Sequence, residues 1–262
     1  MLLKKNGFLT SLIIVVIVAN VSFGQWLWWT NDATNRLWVD TGNWTAYPTS
    51  GDDVVVGTYD TTGPILNTGE TGYANWLHIC DTTPTGSKVT VNGGTLQVSD
   101  HLFVGQWGTD QKGILQVDSG IVNTTLLMCG GDTDGSQGDG TLLMNGGTVN
   151  ISWLLAVAGG YSGTNGNGVG HIQLDDGTID VTGGGGLVMS DNGSIDITGG
   201  SLILNGEITD VTTYGDVTAY DGIGSFIYSY DSGRTTITAV IPEPITLVFV
   251  GLGALLLRKK MV

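Results

Sequence analysis

The sequence predicts an all-β fold, a short parallel, right-handed β-helix of about five to six coils. Three observations predict it. Five segments in the middle of the 262-residue chain repeat one pattern. Each carries a turn glycine, and these glycines recur at a nearly constant interval. On either side of each turn, apolar and polar residues alternate as they do in strands with one buried face.

The five segments are KVTVNGGTLQV from Lys88, ILQVDSGIVNT from Ile114, TLLMNGGTVNI from Thr141, HIQLDDGTIDV from His171 and SIDITGGSLIL from Ser194. Their turn glycines, Gly94, Gly120, Gly147, Gly177 and Gly200, are separated by 26, 27, 30 and 23 residues. Before the turn, the face expected to point inward carries Val89/Val91, Leu115/Val117, Leu142/Met144, Ile172/Leu174 and Ile195/Ile197. After it come Leu96/Val98, Val149/Ile151, Ile179/Val181 and Leu202/Leu204, with Val122/Thr124 as the one departure. A third pair follows in each repeat: Leu77/Ile79, Leu102/Val104, Leu126/Met128, Leu155/Val157 and Leu187/Met189. Three short strands per repeat make one coil. A single coil cannot bury its apolar face, whereas coils stacked at the strand spacing of about 4.8 Å build a continuous core. A β-sandwich is the alternative, but hairpin pairing does not explain similar turns at a long fixed period.

The coil pattern bears on the two cysteines. Cys80 and Cys129 both follow a third strand pair, where other repeats have Gly105, Ala158 and Ser190. That places them two coils apart, on the order of 10 Å, beyond the roughly 7 Å that a disulfide spans. Two small, unpaired wall residues and no disulfide are expected.

The flanks do not repeat. Residues 25–73 are rich in Trp (Trp26, Trp28, Trp29, Trp38, Trp44), and large aromatics suit an N-terminal cap that shields the first coil from edge-to-edge pairing. A sugar-stacking surface is the alternative reading of the same residues. The repeats occupy residues 74–206. Residues 207–240, with Tyr214, Tyr220, Phe226, Tyr228 and Tyr230, read as a C-terminal β cap.

Both ends look like export signals. Residues 1–24 have a basic start at Lys4-Lys5, an apolar stretch over residues 8–21, and Ser22 and Gly24 before a plausible cleavage point at Gln25, as in a signal peptide. Residues 241–262 hold Pro242-Glu243-Pro244, an apolar run over 245–257, and a basic end at Arg258, Lys259 and Lys260. The run is shorter than the roughly 20 residues of a stable spanning helix, and the basic cluster favours a cytoplasmic tail. The fold expected from these readings therefore has a hydrophobic signal helix at each end. The C-terminal segment closely resembles the PEP-CTERM sorting signal of Gram-negative bacteria that secrete exopolysaccharide. The resemblance implies an exosortase as partner, with signal peptidase and the general secretion machinery upstream. It also implies passage through the inner membrane to the cell surface or the extracellular matrix. An ordinary membrane anchor is the alternative. The repeats resemble, by pattern, those of pectin-lyase-like and autotransporter-type exported proteins.

Charge limits the partners. The chain has 9 Lys plus Arg against 24 Asp plus Glu, a formal charge of −15. Residues 25–240 hold only Arg36, Lys88, Lys112 and Arg234 against 23 acidic side chains, a formal charge of −19. Such a surface repels nucleic acid, anionic lipid and polyuronates. Four scattered cations do not make a uronate lyase site, and paired carboxylates or a Ser-His-Asp signature are not evident. The expectation is a non-enzymatic structural or matrix protein without a cofactor. The alternative is a carbohydrate-binding adhesin or a polysaccharide-active solenoid that uses the loops between coils. Those loops carry Trp107 and Tyr161 as candidate glycan contacts. The loop GGDTDGSQGDG offers Asp132, Asp134 and Asp139 as candidate calcium ligands, since calcium takes oxygen ligands on turning loops; the alternative is a solvated turn in which Asp and Gly are simply favoured.

Overall fold

The computed structural model describes residues 24–57, 63–80, 86–106, 108, 111–133, 137–161 and 167–241. These residues form an all-β solenoid of about seven turns. Apart from residues 24 and 241, the export-type segments 1–24 and 241–262 lie outside the described residues. Among the described residues no helix is long and apolar enough to cross a membrane.

Three parallel ladders run along the solenoid, one for each strand of the repeat. The first stacks Leu66, Val91, Val117, Met144, Leu174, Ile197 and Ala219 in register. The second stacks Gly72, Leu96, Val122, Val149, Ile179 and Leu202. The third stacks Leu27, Val54, Leu77, Leu102, Leu127, Leu155 and Leu187. Nearly all of these side chains are fully buried in one core cluster. Burying one such aliphatic side chain stabilises the fold by roughly 1.5–3 kcal/mol, so the stack supplies what a lone coil lacks. The parallel order ends on the second ladder. There Arg234–Val240 pairs antiparallel with Ser201–Asn205 and carries the antiparallel strand Ser225–Asp231.

The solenoid is longer than five to six coils because residues 25–73 join it. Trp26–Trp28 and Asp53–Val56 extend the third ladder, while Ile65–Asn67 and Thr71–Ala74 extend the other two. Trp29, Trp38 and Trp44 pack together in the same core, with ring centroids 4.8–4.9 Å apart along the chain of contacts. The Trp38 ring lies where a side chain at Gly72 would project.

The turns are tighter than separate strands would suggest. Pairing continues through them, so that Lys112–Cys129 and Asp139–Val157 are each one bent strand. Gly120, Gly147, Gly177 and Gly200 have positive φ and stack on one another. A Cβ on Gly120 would lie 2.2 Å from the Gly94 carbonyl oxygen. In the Lys88 repeat the left-handed residue is Gly93, not Gly94, although that turn has the same length as the next one.

One expected pair faces the wrong way. Leu126 and Met128 do not point inward; Leu127 and Cys129 do, in register with Leu102/Val104 and Leu155/Val157. The shift arises at Thr125, where the ladder skips a residue between Thr124 and Leu126. Thr124 itself is buried, and its hydroxyl donates to the carbonyls of Asp100 and Leu126 at the corner. Cys129 is therefore a core residue one position before the equivalent of Cys80. The two remain two coils apart and no disulfide joins them. Burial pushes the Cys129 thiol up to about 12.

Candidate functional site

The third ladder differs from the other two on its outer side. Its strands read WLHI, HLFV, LLMC, LLAV and GLVM, almost continuously apolar. A strand of that kind is buried on both faces. Phe103, Leu126, Met128, Leu154 and Ala156 form a second apolar cluster outside the solenoid wall, flanked by Trp76 and Val188. Each of the five is 2% exposed or less, although each points away from the main core.

Residues from the loops between coils fold back over this outer face. Gln106 is buried, and its Oε1 lies 2.5 Å from His78 Nδ1; its amide donates to Asp132 Oδ2 at 2.6 Å. The Tyr161 hydroxyl lies 2.7 Å from His101 Nε2. On the other side of that ring, His101 Nδ1 is 2.8 Å from Asp100 Oδ1, and Trp76 Nε1 donates to Asp100 Oδ2 at 3.0 Å. The Asp100 carboxylate and the Tyr161 hydroxyl thus lie against the two nitrogens of the His101 ring at an aromatic surface.

The rings are stacked along the solenoid axis. Trp26 lies over His78 at 5.2 Å and His78 over Phe103 at 5.0 Å, the latter two rings nearly parallel at 11°. Trp76 meets His101 at 4.7 Å, and Trp153 meets Tyr161 at 5.4 Å. Trp26, Trp153 and Tyr161 keep about two fifths of their surface exposed. The site is thus a sealed aromatic layer with three open rings at its margin.

Its electrostatics favour neutral side chains. Burial holds the His78 imidazole below its ordinary range. Burial, then the nearby Asp100 and Asp132 carboxylates, push the Tyr161 phenol above its own. A phenol kept protonated donates a hydrogen bond and does not act as a nucleophile. The arrangement suits ring stacking and hydrogen bonding to a neutral, hydroxylated ligand.

Of the residues singled out from sequence, Tyr161 lies in this site. Trp107 and Asp134 lie outside the described residues, as do Pro242, Glu243, Pro244, Arg258, Lys259 and Lys260. Asp132 and Asp139 take separate partners: Asp132 holds Gln106 and the Thr133 amide, and Asp139 pairs with Lys112 at 3.2 Å. Among the described residues no three His, Cys, Asp or Glu side chains are grouped as metal ligands. The repeat pattern by itself does not single out Trp76, His78, His101, Phe103 or Trp153. The signal that marks them is the loss of alternation in the third strands.

No protein-family model, curated protein or solved structure matches this chain.

Proposed function

We propose that the chain is a non-enzymatic structural protein of the bacterial cell exterior, an exported solenoid displayed in or released into an exopolysaccharide layer. In this reading residues 1–24 are removed by signal peptidase during general secretion. The C-terminal segment is a PEP-CTERM signal that halts the chain in the inner membrane of a Gram-negative-type cell until an exosortase acts at Pro242-Glu243-Pro244. The solenoid is right-handed, as crossovers between parallel strands almost always are. The buried Trp29, Trp38 and Trp44 cap one end, and the antiparallel pair Ser225–Asp231 and Arg234–Val240 caps the other.

One observation carries the proposal: a long, self-stacked acidic scaffold lies between two export-type segments, with its described interior filled by aliphatic side chains. A scaffold whose residues 25–240 carry a formal charge of −19 repels its own copies and anionic polymers, which suits a component dispersed in a hydrated matrix.

Fractionating cells that express the chain with Pro242→Ala and Glu243→Ala tests this. The wild-type chain is expected in the surface and medium fractions, and the variant in the inner membrane. Equal distribution of the two would refute the sorting role. A second reading, a carbohydrate-binding adhesin, is favoured by the adjacent exposed rings of Trp153 and Tyr161. Polysaccharide retention lost on Trp153→Ala or Tyr161→Ala would support it.

A further inference from the structure

The outer side of the second ladder carries a feature that the aromatic face does not explain. Equivalent positions of successive coils place Tyr73, Gln97, Asn123 and Asn150 in one row. The amides are chained. Asn150 Nδ2 donates to Asn123 Oδ1 at 2.8 Å, and Asn123 Nδ2 donates to Gln97 Oε1 at 3.1 Å. A side-chain amide has two N–H donors and an oxygen with two lone pairs. The middle rung, Asn123, spends one donor and one lone pair on its neighbours and keeps one of each.

Gln97, Asn123 and Asn150 line a cleft of about 200 Å³ together with Ser99, Thr125, Ser152 and Thr182. The lining holds no ionisable side chain. One rung beyond Gln97, Tyr73 also lines a second depression of about 320 Å³ with Tyr47 and Pro48. The Ser99 hydroxyl donates to the Ser50 carbonyl at 3.2 Å and joins the two. Tyr47 and Tyr73 are more than a third exposed. At the other end the row continues to Asp180, whose carboxylate both terminal nitrogens of Arg234 engage. That pairing neutralises the charge of Asp180.

We propose that this trough binds a neutral, hydroxyl-rich polysaccharide laid along the solenoid axis. Amide rungs repeat at the strand spacing of about 4.8 Å, which presents one donor–acceptor pair after another to the hydroxyls of successive sugars. The two tyrosines provide apolar ring faces for the sugar C–H surfaces at one end. The ligand is neutral because no cation lines the trough and the whole chain repels polyanions. The site uses none of the residues of the aromatic face. It also does not depend on the sorting role, whose failure would appear in cell fractionation and not in binding.

Calorimetric titration of the purified full chain with cellohexaose, mannohexaose and hexagalacturonate tests the proposal. Saturable binding of a neutral hexasaccharide, with none of the acidic one, is expected. Asn123→Leu should weaken that binding by about tenfold, the effect of losing one or two hydrogen bonds. Tyr73→Ala, at an exposed position where folding is not at stake, should weaken it by a similar factor. The proposal is overturned if neither neutral hexasaccharide binds, or if the acidic one binds as well. It is equally overturned if Tyr73→Ala leaves the affinity unchanged while Trp153→Ala abolishes it.

Discussion

The outer faces of the second and third ladders belong to the same coils, yet one is open and polar while the other is sealed and aromatic. On the second, Gln97, Asn123 and Asn150 are hydrogen-bonded in a row and border a cleft. On the third, Phe103, Leu126 and Met128 are covered as completely as the main core. The repeat therefore fixes the inner wall of a solenoid, while the residues that each loop returns to the surface decide what the outer wall does. One outer wall is buried like the core, and the other stays open to solvent.

The largest expected effect lies on the sealed face. Phe103→Ala should destabilise the protein by about 3–5 kcal/mol, as for a core aromatic, whereas Asn123→Ala should fall within about 1 kcal/mol. Denaturant unfolding of both variants checks the contrast; equal losses would erase it. Leu126→Ala and Leu127→Ala, neighbours that face opposite sides, should each lose about 2–5 kcal/mol. A loss near zero for Leu126 would mean that its face is open to water.

A smaller effect concerns pH. Burial keeps His78 below its ordinary pKa of 6.5, so as pH falls through that value the unfolded chain takes up the proton first and the folded state loses stability. The loss levels off only when His78 itself protonates. The Tm should therefore drop between pH 7 and pH 5, and His78→Gln should flatten that slope. An unchanged slope would place His78 outside the sealed layer. The smallest effect is kinetic. With its thiol pushed up to about 12 and fully buried, Cys129 should resist alkylation at pH 8 until the protein is unfolded. Unfolding should then release two thiols; a Cys80–Cys129 link found by mass spectrometry would break the coil register.

Much of the inner wall was legible in the sequence. Alternation alone placed Val89/Val91, Leu142/Met144 and their counterparts inward, because a period of two leaves one choice of face. Positive φ at Gly120, Gly147, Gly177 and Gly200 was signalled by their recurrence. Three things were hidden, each for a physical reason. The shift at Thr125 reverses the faces of Leu126 to Cys129, since a one-residue irregularity flips every later side chain. The flank 25–73 contributes strands too short and too widely spaced to show a period. The sealed face depends on contacts such as Tyr161 to His101 and Gln106 to His78, 60 and 28 residues apart. No local pattern encodes them.

Hydroxyl-radical footprinting of the folded full chain reads both outer faces in a single experiment. Tyr73 should be modified rapidly, whereas Phe103 and Met128, although they point outward, should be as protected as the core residue Met144. Rapid modification of Phe103 and Met128 in the folded protein would contradict the division of labour between the two faces.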